Sequence, residues 1–168
     1  MSQHTRAEIE VRLWDEIRKD RTGMLGLIGE DITRHYQPMS AFAEPGEQAM
    51  WFFVRDDSDL AVEAARTGGE AMFTFQSKDQ TLMACLGGRL SLSRDPERVK
   101  KYWNPVAAAW FPDGRDDPRL ALLRFDVIDA QAWLVEAGPV KFAWEVAKAN
   151  VTGRQPDVGQ SAHLDMRH

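Results

Sequence analysis

Ile9, Leu13 and Ile17 recur every fourth residue between Arg6 and Asp20, with Glu8, Glu10, Arg12, Asp15, Arg18 and Lys19 around them. That is the period of an amphipathic helix. Thr5 can cap it, with Glu8 three residues on to complete a capping box. Thr22-Gly23 breaks the pattern. Met24 to Ile28 is a short apolar run whose glycine favours a buried strand over a helix. Glu30 to Thr33 reads as a turn. Tyr36 to Ala43 reads as extended, although Pro38 lies inside it. Proline cannot donate to a strand ladder, so this segment is an edge, a bulge or a strand that splits from its neighbour. After the turn Glu44-Pro45-Gly46-Glu47, Ala49 to Val54 is a wholly apolar strand, and the two strands are expected to form a hairpin.

Arg55 to Asp59 is a charged loop that ends in helix-start chemistry. Asp57 or Ser58 can cap a helix running to Arg66, and Gly68-Gly69 stops it. Glu70 to Gln76 and Thr81 to Ser93 are two further strands, joined by the polar turn Lys78-Asp79-Gln80. Gly87-Gly88 inside the second marks a bulge or a close backbone approach. Pro96 opens a short helix capped by Asp95. Tyr102 to Gly114 reads as an aromatic, proline-containing loop. Leu123, Phe125 and Val127 alternate with Arg124 and Asp126, the pattern of a half-buried strand reaching to about Trp133. Val140 to Asn150 is a last helix, with Phe142 and Val146 on one face. Thr152 to His168 is polar and without period, so it is expected to be a tail. About six strands and three main helices alternate along a single domain spanning 1–168. Two meander pairs with a helix between them suggest an antiparallel barrel with helices packed outside.

Composition narrows the chemistry. The chain has 168 residues, 21 Lys plus Arg against 26 Asp plus Glu, one cysteine and six tryptophans. The resulting net charge of −5 argues against a protein that coats nucleic acid. No run of about 18 apolar residues offers a membrane span. The polar start, Met1 to Glu10, lacks the apolar stretch of a secretory signal, so a cytoplasmic protein is expected. One cysteine forms no internal disulfide, and Cys85, among Met83, Ala84 and Leu86, reads as a buried small hydrophobe. His4, His35, His163 and His168 share no metal-ligand spacing. There is no Gly-x-Ser-x-Gly elbow and no phosphate-cradling glycine loop. The Asp56-Asp57-Asp59 group suits a helix start better than acid–base chemistry. Trp14, Trp51, Trp133 and Trp144 are expected in the core or a dimer seam. Trp103 and Trp110, set among prolines, are the better candidates for a ligand wall or partner contact.

Four pieces remain: Gln37-Pro38-Met39, the strand Trp51 to Val54, the loop Asp56 to Leu60, and Trp110-Phe111-Pro112-x-Gly114-x-x-Asp117-Pro118. In order and spacing they resemble the flavin-binding split barrels related to pyridoxamine 5′-phosphate oxidase, and most closely the general stress protein 26 branch. The resemblance covers about residues 5 to 135. It implies a mainly β fold, a split β-barrel with flanking helices, assembled as a homodimer with FMN or a similar flavin in a groove between subunits. By that likeness Gln37, Pro38, Met39 and Ser40 would line the flavin ring from one strand. Phe53, Val54 and Arg55 would do so from its neighbour. Ser58, Asp59 and Leu60 would occupy the phosphate end, and Trp110 would come from the partner subunit.

The chain departs from that family at three places. Gln37 stands where an arginine precedes Pro-Met, and Val54 stands where a threonine ends the aromatic strand. Asp59 and Leu60 replace the basic pair at the phosphate. Two functions follow from the resemblance: a flavin-binding protein acting as an oxidoreductase or carrier, or a stress-response module of the same fold that has lost phosphate binding and is no enzyme. No residue is assigned a catalytic role.

Overall fold

The computed structural model describes residues 4–29, 34–136 and 138–167, so the turn expected over Glu30 to Thr33 lies outside the described residues. Helix α1 (Arg6–Asp20) starts on the expected capping box. The Thr5 hydroxyl accepts from the Glu8 N–H at 3.2 Å, and the Glu8 carboxylate accepts from the Thr5 N–H at 2.7 Å. Its buried side is Ile9, Leu13, Trp14 and Ile17.

The strands that follow are β1 (Thr22–Leu27), β2 (Gln37–Ser40), β3 (Phe42–Ala43), β4 (Ala49–Arg55), β5 (Glu70–Gln76), β6 (Leu82–Ser93), β7 (Leu120–Val135) and β8 (Gly159–Asp165). Between them lie α2 (Asp59–Thr67), α3 (Pro96–Tyr102), α4 (Pro105–Trp110) and α5 (Pro139–Thr152). The described strands form one sheet in the order β2-β1-β5-β6-β7-β4-β3, with β8 added to β7. All neighbours are antiparallel.

Two features of the pairing close the sheet. First, β7 spends its whole length on β6 along one edge, while its other edge takes β4 over the first half and β8 over the second. Second, the outermost strands β2 and β3 are separated in the chain only by Ala41. The sheet must therefore curl until its ends meet. The curl is helped by a register shift in β6 between Gly87 and Gly88. A β-carbon on Gly88 would run into the backbone carbonyl of Asp126, so the close approach requires glycine there.

The enclosed core collects Leu25, Phe73, Leu82, Leu86, Phe125 and Leu134 from the strands, the apolar side of α1, and Leu60, Ala61 and Ala64 from α2. A second apolar cluster lies outside the barrel wall: Trp51, Leu120 and Leu122 against Val99, Tyr102 and Phe111 from the α3–α4 segment. Each large side chain removed from water contributes about 1.5–3 kcal/mol.

Several expectations are corrected. The tail read from Thr152 onward contains β8, with Ala162, Leu164 and Met166 buried against the barrel. The presumed aromatic loop contains α4, capped by the Asn104 side chain, which accepts from the N–H groups of Val106 and Ala107. Only β3 joins the expected hairpin with β4; β2 pairs with β1 instead. Of the tryptophans expected in the core or a dimer seam, Trp14 and Trp51 are in the core, whereas Trp133 and Trp144 lie on the surface of the chain at 43% and 67% exposure and only the dimer-seam alternative is left for them. Cys85 is half-buried, because Met83, Cys85 and Gly87 form the side of β6 that faces away from the core.

Candidate functional site

Pro38 explains where the barrel opens. β3 pairs with β4 at Phe42↔Trp51 and Ala43↔Met50. Continued past Ala41, that register would set Ser40 against Phe53 and Met39 against Val54. It does not continue. The Ala41 N–H is taken by the Arg21 carbonyl at 2.8 Å, and β2 turns away to pair with β1. β2 still runs beside β4. The result is a split in which β2 and β4 lie side by side without a shared ladder.

The residues expected to line a flavin ring come together here. Gln37, Pro38 and Ser40 are exposed and Met39 is half-buried on the β2 side. On the β4 side, Val54 points into the core and Arg55 into solvent. Phe53 faces outward, in edge-on contact with Phe42 at 5.7 Å and Trp103 at 5.9 Å between ring centres. Phe42, Tyr102, Trp103 and Phe111 thus back the split from outside. Sequence reading put only Trp103 of these near a ligand, because the packing of Phe42 against the distant Tyr102 stretch is a long-range contact that no local pattern announces.

The expected phosphate end is different. Ser58 caps α2, its hydroxyl accepting from the Ala61 N–H at 3.3 Å. Asp59 is exposed at the first position of the helix. Leu60 is only 3% exposed and belongs to the core, so its side chain is withdrawn from this end. Arg55 grips Asp57 through two hydrogen bonds at 2.9 and 2.8 Å, which hold the Asp57 carboxyl below its ordinary range and the guanidinium above its own. Arg94 reaches Asp56 at 2.7 Å and also donates to the carbonyls of Pro118 and Leu120. This donor set fits a helix start that satisfies itself; it does not fit an incoming phosphate.

The Trp110-to-Pro118 block is mostly structural. Phe111 is buried in the outer cluster, and Gly114 turns the chain with φ +75. Asp117 is buried and receives two side-chain hydrogen bonds from Arg119, which hold its carboxyl low. Trp110 is 74% exposed at the end of α4, a large apolar side chain left on the surface of this chain. A cleft of about 310 Å³ at the opposite end of α2 is lined by Arg34, Glu63, Glu70 and Arg89. Glu63 is shared between Arg66 at 2.9 Å and Arg34 at 4.0 Å, and Arg89 lies 3.6 Å from Glu70.

A family model described as pyridoxamine 5′-phosphate oxidase like matches residues 8–157. Among solved structures, the chain is similar to a protein assigned as general stress protein 26 from a Jannaschia species. The two are 33% identical, with a TM-score of 0.79, over 95% of this chain and 99% of that one. It is also similar to the general stress FMN/FAD binding protein from Xanthomonas citri. That pair is 38% identical, with a TM-score of 0.71, over 79% of this chain and 92% of that one. Among curated proteins it resembles Protein bli-3 of Neurospora crassa, 28% identical over 85 residues, which is 46% of this chain and 41% of the relative's length.

Proposed function

The chain belongs to the pyridoxamine 5′-phosphate oxidase-like family, and from that premise we propose that it binds a flavin in the split between β2 and β4. FMN is the form that the family resemblance implies. The observation that carries the reading is the pair of facing strand edges, Gln37–Ser40 and Phe53–Arg55. Backbone groups that such edges leave outside a ladder can pair with the donors and acceptors along one side of a flat heterocycle. The likeness to an FMN/FAD binding protein supports the same ligand class.

A bound flavin supplies the redox chemistry itself. The part of this chain is to hold the ring edge through backbone groups and to wall it with the outer aromatic cluster. We read the protein as a cytoplasmic homodimer whose second copy completes the groove, with Trp110 as the residue it would bring. Exposed apolar side chains on α4 and α5 support that assembly: Val106, Trp110, Val140, Trp144 and Val151. Oxidoreductase turnover against an unassigned substrate is the enzymatic form of the reading. A stress-response module without turnover is the second, favoured by the self-paired aspartates before α2.

The test is a visible spectrum of the purified protein, followed by titration with FMN, FAD and riboflavin. A yellow protein, or saturable binding of any of the three, is expected. A colourless protein that binds none of them would sink the proposal.

A further inference from the structure

The chain passes from the β4 edge of the split to helix α2 through only Asp56, Asp57 and Ser58. Whatever lies in the split and extends past Arg55 therefore meets the start of α2. A helix N-terminus ordinarily welcomes an anion, through its free N–H groups and its dipole. Here that capacity is partly taken up and opposed. The Ser58 hydroxyl takes the Ala61 N–H, and Asp59 stands in the first turn with its own negative charge.

The cations nearby are engaged as well. Arg55 is held in a two-point pair by Asp57. Arg94 divides its donors among Asp56 and two backbone carbonyls. Arg119 is held by Asp117. Arg34 lies at the other end of α2 beside Glu63. Leu60 is sealed in the core. Four carboxylates, Asp56, Asp57, Asp59 and Asp117, thus face three committed guanidinium groups at this end, and Asp59 is exposed.

A phosphate arriving there must either break an ion pair or stand beside Asp59. At about 5 Å and an effective dielectric of 20, one unit of like charge costs on the order of a hundredfold in affinity. The helix N-terminus returns part of that. A net penalty of about tenfold remains.

We infer that this site selects flavins without a terminal phosphate, taking riboflavin or another isoalloxazine with an uncharged tail in preference to FMN. The inference rests on the flavin reading above and narrows it to a ligand class. Asp59 is its specificity-determining residue.

Riboflavin and FMN are titrated into the full chain, following quenching of flavin fluorescence, at low salt and again at physiological salt. Riboflavin is expected to bind about tenfold more tightly than FMN at low salt. The gap should shrink as the Debye length falls from about 30 Å at 0.01 M to about 8 Å at 0.15 M. Asp59→Asn should tighten FMN severalfold and leave riboflavin within about twofold. FMN binding as tightly as riboflavin, or Asp59→Asn moving both ligands equally, would overturn the selectivity while leaving flavin binding in place. Failure of both ligands to bind would overturn the flavin reading itself, and this inference with it.

Discussion

Glu47 shows how single residues secure the wall behind the split. Arg98 donates to both of its carboxylate oxygens, at 2.6 and 3.2 Å, and to the Tyr102 hydroxyl at 2.9 Å. The same guanidinium lies 4.7 Å from the centre of the Trp51 ring, whose Nε1–H also donates to Glu47. Hydrogen bonds from Arg98 hold the Glu47 carboxyl below its ordinary range, and Lys101 does the same for Glu44. Burial pushes the Tyr102 phenol up to about 12, so it stays protonated as a partner. The direction of the pH effect follows. A carboxyl whose folded value lies below its unfolded value of about 4.3 adds stability above that pH, and the gain is lost as pH falls through the folded value. Because Glu47 is partly exposed, screening limits its share to about 1 kcal/mol or less. Arg98→Met is expected to lower stability at pH 7 and to lose less than the native chain on going to pH 3, measured by urea unfolding. Equal losses in both proteins would detach the acid sensitivity from this pair.

Elements carry larger energies than pairs. Gly88→Ala forces a β-carbon against the Asp126 backbone, which cannot step aside as a side chain could. A destabilisation of about 1–3 kcal/mol is expected, read as a lowered urea midpoint; an unchanged midpoint would mean that β6 can re-register without its bulge. Ending the chain after Gly153 removes β8, and with it the burial of Leu164 and Met166. At about 1.5–3 kcal/mol each, this should lower the melting temperature by about 10 °C or more. A disordered tail would leave it unchanged. β8 also shows where sequence reading ran short. Ala162, Leu164 and Met166 do alternate with Ser161, His163 and Asp165, but the stretch is short and follows a polar run, so its period is weak. α4 was hidden differently: Asn104-Pro105 is a cap followed by a first-turn proline, yet the helix is too short to show a period. By contrast α1, β4, α2, β5 and the Gly87-Gly88 bulge were legible, because caps, apolar runs and glycines act locally. The split was half legible. Pro38 announced an edge, but which strands β2 and β3 would join is a long-range matter. Leu60 beside Asp59 looked like part of a binding end until the turn of α2 carried it inward with Ala61 and Ala64.

At the scale of the molecule, the surface is unfinished. Val140, Trp144 and Val151 stand exposed along α5, a helix that buries none of its residues within this chain. Short helices owe most of their stability to packing, so such a face calls for a cover. If the proposed homodimer supplies it, sedimentation will give about twice the chain mass of 19.0 kDa. Trp144→Glu should then shift the equilibrium toward single chains; an unaltered mass would place α5 outside the contact. No described helix is long and apolar enough to cross a membrane. The one-residue joint at Ala41 has a bearing on the timing of events. Because the two ends of the sheet are tied by a covalent link and the joint is anchored to Arg21, the seam does not wait for a ligand to pry it open. Amides along the facing edges of β2 and β4 should trade their hydrogens for solvent deuterium early, while their neighbours in β6 and β7 remain protected. A ligand settling into the seam would then announce itself as a slowing confined to those few amides, with the rest of the barrel undisturbed.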